Sequence, residues 1–271
     1  MGVQTIRRMR AVSLETAAVV RERNLTFLAG AIAYAAFVSL VPLLVLVFVV
    51  ASALRGPATA DAVVSAIQGA LSPNAADLLR GALTNRTGVF GTSILGVVLL
   101  AWSALKTFRG LNVAFGVVYG TGDASFVESV RDGTVALASL SVAAVALVGV
   151  SAALALVVNR RVLDVFGPLF LLIGLAAAFL PVYYVLPDVP MTLRDALPGA
   201  GFAAVGWLAL GVVFRVYVSV AGASQAAYGV LGGVMVLLTW LYLAALIVLV
   251  GAVVNAVVAG RVSGSVVDAL A

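Results

Sequence analysis

In this chain of 271 residues, 63% are hydrophobic, only 10% are charged and the mean hydropathy is +1.20; a soluble domain carries about a quarter charged residues, so a water-facing surface cannot be built from it. Histidine and cysteine are both absent, which removes the commonest general base, the thiolate nucleophile, disulfides and most soft-metal ligands. The net charge of +5 comes from 15 arginines and one lysine against 11 acids, and these cations are scattered between apolar stretches rather than gathered in a stripe, so anionic lipid head groups are the expected partners and nucleic acid is not.

The chain opens with Val3 to Val20, where Val3, Ile6, Met9 and Val20 alternate with arginines. That pattern predicts a helix lying on the membrane surface, within a 1–27 cytoplasmic segment. Leu28–Leu54 follows, 27 residues without a charge. Roughly 20 apolar residues suffice to cross the hydrocarbon, and the run is too long and too far from the N-terminus for a secretory signal, despite Ala51-Ser52-Ala53.

Residues 57–88 predict an outer loop with two short helices, Thr59–Leu71 and Pro73–Leu83, the second capped by Ser72. Its Asn85-Arg86-Thr87 fits a glycosylation sequon. Val89–Leu105 is the second expected span; Leu105, Phe108, Leu111, Phe115 and Val118 are spaced to continue it as an amphipathic helix. Thr134–Val158 and Val165–Leu186 are the third and fourth. Between Ala196 and Gly260 only Arg215 is charged, so turn chemistry at Gly222-Ala223-Ser224-Gln225 and Gly229 has to divide the fifth span, 201–220, from the sixth, 230–259.

With no water at that depth, each span can satisfy its backbone only as a helix. The expectation is an all-α polytopic membrane protein: a bundle of six transmembrane helices over 28–260, with an interfacial N-terminal helix and a 261–271 tail. Six spans put both termini on one side, which carries ten cations (Arg7, Arg8, Arg10, Arg21, Arg23, Lys106, Arg109, Arg131, Arg194 and Arg261) against five on the other (Arg55, Arg80, Arg86, Arg160 and Arg161). The positive-inside rule places that side in the cytoplasm of a cell (inner or plasma) membrane.

Conventional catalysis finds little to use. No nucleophile–base–acid set, zinc cluster or phosphate loop of the recognised spacings is present. Asp123, Glu128 and Asp132 form the only local group of carboxylates, and they read better as a solvated helix start beside Arg131 than as a metal site. No enzyme, cofactor or metal is expected.

Arg215 lies well inside the fifth span, where a cation either snorkels to head groups or faces a wet cavity as an anion site. Trp207, Phe214 and Tyr217 could shape such a cavity. Pro42 and Pro181 sit inside the first and fourth spans; each removes a backbone donor and frees a carbonyl, at Val38 and Ala177. Such breaks either line transport cavities or are passive kinks. The freed carbonyls need partners, for which Ser39, Tyr183 or water are at hand. Tyr34, Ser39, Asn112 and Asn255 are candidate polar lining residues. Gly229, Gly232 and Gly233 would permit close helix contact.

Several short motifs recur in an order that resembles the YihY/BrkB membrane proteins, once labelled ribonuclease BN-like. They are Ala33-Tyr34, Ser39-Leu40-Val41-Pro42-Leu43-Leu44, Trp102-Ser103, Phe108, Leu111-Asn112, Leu186-Pro187-Asp188, Ala196-Leu197-Pro198-Gly199-Ala200, Phe214, Tyr217, Tyr228-Gly229-Val230-Leu231-Gly232, Trp240-Leu241-Tyr242, Leu249-Val250-Gly251-Ala252 and Asn255. The resemblance implies a six-helix inner-membrane protein with a transport-like role, usually suggested to be movement of a lipid or amphipath. One departure stands out: the family's closing motif commonly reads Gly-Ala-Glu-Leu-Asn, and Val253 stands where that glutamate would be. The ribonuclease label lacks a plausible acid, base or metal site here. Two functions follow as expectations: a transporter-like protein moving a lipid or amphipathic anion, or a membrane scaffold acting through protein partners.

Overall fold

The computed structural model of the protein describes residues 2–55, 109–121 and 160–262, with isolated helical positions at 98, 102, 131, 133–135 and 139; for 2–9, 41–55, 160–165 and 218–231 the backbone alone is described. Among the described residues all regular structure is helical: α1 (Gly2–Glu22), α2 (Leu25–Arg55), α3 (109–119), α4 (Arg160–Val185) and α5 (Leu193–Val258). The expected all-α class holds. The second and third expected spans and the two outer-loop helices lie outside the described residues.

Three described stretches are long and apolar enough to cross a membrane: Phe166–Val185, Leu193–Tyr217 and Gly232–Val258. A fourth crossing is available if α1 and α2, bent by 67° between Glu22 and Leu25, count as one broken span. The bend has a local cause. Asn24 adopts a left-handed backbone, φ 50°, a conformation that asparagine tolerates better than most residues. The carbonyl of Asn24 then accepts from the N–H of Phe27 at 3.0 Å and restarts the helix.

Two compact units divide the chain. One holds residues 1–32, 108–216 and 242–271; the other holds 33–107 and 217–241. The buried core of the first unit joins Val19 of α1, Leu25 and Ala29 of α2, Phe115 and Val118 of α3, Phe179, Val182 and Tyr183 of α4, and Ala196, Ala200, Leu249, Ala252 and Val253 of α5. Along α1, Thr16 and Val19 are buried and Val12 and Val20 pack on this core, while Arg10, Leu14 and Arg21 are exposed. The inner face of α1 therefore packs on protein, which the arginine-rich sequence did not disclose.

α5 begins at Leu193, earlier than the expected start near Gly201. The reason is a capping box: Asp195 N–H donates to Thr192 Oγ1, and Thr192 N–H donates to Asp195 Oδ2 at 2.9 Å. Helical backbone runs from there to Val258, yet the helix cannot be straight. Gly199 and Asn255 would stand about 84 Å apart on one axis, whereas the N–H of Gly199 donates to Asn255 Oδ1. Gly206 likewise meets Ile247. Contacts that close inward as the chain advances define an antiparallel pair.

Candidate functional site

The antiparallel pair of α5 is built on small residues. Ala196, Ala200, Ala203, Ala252 and Ala256 are fully buried. A Cβ on Gly199 would lie 2.5 Å from the Gly251 carbonyl oxygen and 2.7 Å from Cγ and Nδ2 of Asn255. Between lipid-surrounded helices such close approach supplies the packing that water expulsion supplies in soluble cores. The seam thus runs through Gly199, Gly206 and Gly251; the surroundings of Gly229 lie outside the described side chains.

Asn255 fastens the seam. Its Oδ1 accepts from Gly199 N–H, its Nδ2 donates to the Ala196 carbonyl at 3.4 Å, and the residue is 1% exposed. Both partners lie in the first turns of α5, beside Pro198, which contributes no N–H of its own. Tyr183, fully buried on α4, donates its hydroxyl to the Val248 carbonyl at 2.8 Å. It is therefore committed to α5 and not to the Ala177 carbonyl that Pro181 frees. Ser39 is similarly engaged within its own helix, donating to the Ala36 carbonyl at 2.6 Å rather than to that of Val38.

α3 lays one face against this assembly. Phe115 packs on Tyr183 with ring centroids 5.9 Å apart and stacks on Tyr119 at 6.5 Å. Asn112 and Tyr119 flank Phe115 at helical spacing, and both are 8% exposed. Neither end of the Asn112 amide has a hydrogen-bond partner, and the Tyr119 hydroxyl faces Asn255 without completing a bond. Burial pushes the Tyr119 hydroxyl up to about 12, against the smaller opposing pulls of Arg261 and Asn255; it stays protonated at neutral pH. Thr16 Oγ1 on α1 is also buried without a partner. An unpaired buried polar group costs about 1–3 kcal/mol, and Asn112 carries that cost at both ends of its amide.

Two arginines close the end of the unit to which Asn255 and Tyr119 belong. Arg23 donates from Nη1 to the carbonyls of Val117 and, at 3.0 Å, Val118, in the last turn of α3. Gly120 then turns left-handed at φ 69° and lets Thr121 N–H reach the Gly116 carbonyl at 3.1 Å, the C-terminal motif that favours glycine. Arg261 donates to the Pro190 carbonyl, tying the end of α5 to the loop before it. Gly260, φ 65°, closes α5 in the same way as Gly120 closes α3.

The remaining sequence candidates lie elsewhere. Arg215 is exposed beside exposed Val212, Val213 and Val216. Sixteen residues of helix place it about 24 Å along the axis from Gly199, close to the thickness of the hydrocarbon. Trp207 packs edge-on against Phe179, centroids 5.4 Å apart. Tyr34 and Tyr217 are 68% and 50% exposed and belong, with Ser39 and Pro42, to the second unit; the Pro42 ring lies outside the described side chains. Pro181 sits within α4, which continues helical through it. The structure therefore buries Asn112 and Asn255 in the first unit, and places Tyr119 toward Asn255, with Tyr183, Gly199 and Gly251 closing the packing around α5. Among the described residues no group of three or more acids could hold a metal.

Long apolar helices joined by a tight small-residue seam define a multi-pass membrane protein. The chain belongs to the BrkB virulence factor family, whose family model matches residues 16–269. Among curated relatives, the ribonuclease-like protein YfkH of Bacillus subtilis is 37% identical over 95 residues, 35% of this chain and 33% of that protein. UPF0761 membrane proteins of Azotobacter vinelandii and Pseudomonas aeruginosa are 41% and 40% identical over 76 and 77 residues, 28% of this chain and 19% of theirs. The matched stretch thus spans a third or less of each of these relatives. No solved structure matches the chain.

Proposed function

We propose that this protein is transporter-like and moves a lipid or amphipathic anion across or within a cell membrane, with both termini in the cytoplasm. The observation that carries the reading is the unpartnered amide of Asn112, buried on a helix face that packs against α4 and α5. An unpaired polar group buried inside a membrane protein is expensive, which makes it a candidate for a polar pathway. Arg215, about a bilayer's thickness away along α5, would attract an anionic head group at the opposite surface. Nothing in this mechanism needs bond cleavage: histidine and cysteine are missing, and of the relatives named above YfkH carries the ribonuclease-like name while the UPF0761 relatives do not.

A scaffold acting through protein partners is the second reading. The exposure of Arg215 among valines favours it, because that placement suits an arginine held at head groups. Mutational dependence separates the two. Purified protein in liposomes should move anionic lipid more slowly after Arg215→Ala or Asn112→Leu. Movement unaffected by both substitutions, across several anionic lipids, would sink the proposed mechanism.

A further inference from the structure

We propose that the face of α3 bearing Asn112 and Tyr119 is a binding site for a neutral hydroxyl group, held by Asn112 and supplied by water or by a hydroxylated lipid head. The inference rests on the reading that these buried groups belong to a polar pathway, and it narrows what that pathway holds at this point.

The argument is one of matching donors to acceptors. The Asn112 side chain offers two N–H donors and a carbonyl acceptor, and all are unpartnered in a residue more than nine-tenths buried. A ligand that satisfies both ends must donate and accept at once. A hydroxyl does so; an ammonium only donates, and a phosphate dianion only accepts. The Tyr119 hydroxyl, two helical turns further along the same face, has the same dual character and is also unpartnered. The buried polar side chains described in the first unit are Thr16, Asn112 and Asn255, all uncharged. Asn255 is already spent on Ala196 and Gly199. An ion seated at Asn112 would therefore lose its hydration without gaining a buried counter-charge, which costs far more than a hydroxyl's transfer. Bound water characteristically meets such needs, with about three hydrogen bonds to otherwise unsatisfied groups.

X-ray hydroxyl-radical footprinting of the full chain in nanodiscs tests this, because radicals born in bound water label the side chains beside it. Phe115 and Tyr119 should label severalfold faster than Phe179, which is similarly buried but packs on Trp207. Asn112→Leu should bring Phe115 down to the Phe179 rate. Tyr119→Phe, an isosteric change, keeps the test usable if the first variant folds poorly; it should slow labelling at position 115 to a lesser degree. Nanodiscs of phosphatidylcholine alone are compared with nanodiscs containing glucosyl-diacylglycerol. Protection by the glucosyl lipid assigns the hydroxyl to lipid, and unchanged fast labelling assigns it to water; both support the site. Labelling of Phe115 and Tyr119 no faster than Phe179 in either nanodisc, with Asn112→Leu melting above wild type, would overturn it. Lipid movement that persists beside a dry Asn112 would remove this inference alone. A wet Asn112 without any lipid movement would remove the transport reading instead.

Discussion

Gly199→Ala is the sharpest test of how the two arms of α5 are joined. The added Cβ would stand 2.5 Å from the Gly251 carbonyl oxygen and 2.7 Å from the amide of Asn255. Both neighbours are constrained, the first as backbone and the second by its bonds to Ala196 and Gly199. Ordinary contact begins near 3.4 Å, so the arms must part by most of an ångström. Overpacking of this kind costs about 1–3 kcal/mol. Parting also weakens the Asn255 bonds, worth about 0.6 kcal/mol each in membrane proteins and at most about 1.7. With both bonds lost at the mean value the total is roughly 2–4 kcal/mol. Gly201→Ala supplies the matched control, since its Cβ would meet nothing within 4 Å; replacing a helical glycine there should stabilise by about 0.5–1 kcal/mol. Thermal unfolding in one detergent should therefore rank Gly201→Ala at or above wild type and Gly199→Ala well below it. Equal melting of the two variants would refute the seam.

Three further outcomes follow from the same packing. Tyr183→Phe keeps the ring against Phe115 but removes the bond to Val248, and should lower stability by about 0.5–1.5 kcal/mol, clearly less than Gly199→Ala in the same melt. Val253→Glu would restore the carboxylate of the family's closing motif at a position that is 0% exposed here. A carboxyl buried there without a hydrogen-bond partner should cost about 1–3 kcal/mol of stability. The variant should therefore melt clearly below wild type in the same detergent; melting equal to wild type would show the side chain escaping the core. Thr192→Ala removes half of the capping box and should cost about 0.5–2 kcal/mol, with Thr192→Ser restoring most of it in the same unfolding measurement.

Much of the architecture was legible in the sequence because crossing a bilayer leaves few choices. Charge-free length alone outlined α2 and α4. The packing partners were not legible. Gly199 and Gly251 stood in motifs that resembled the family, but only the fold brings residues 52 positions apart into contact. Asn255 was singled out as an uncharged polar group in lipid, and the structure shows it spent on the backbone of Ala196 and Gly199 across the seam. Tyr119 carried no signal, because a tyrosine at the end of an apolar helix face is ordinary until its hydroxyl is found buried and unpaired. Arg215 drew attention as a lone cation, and its two readings turn on surroundings that a sequence does not contain.

The transport proposal is tested most directly by lipid movement in liposomes holding the purified protein and a trace of head-group-tagged anionic lipid in both leaflets. An impermeant quencher bleaches only the outer leaflet of protein-free vesicles. With the protein present, the account predicts that bleaching proceeds into the inner-leaflet pool, in proportion to the protein reconstituted. Bleaching that stops at the outer leaflet at every protein density, for each anionic lipid tried, would contradict it.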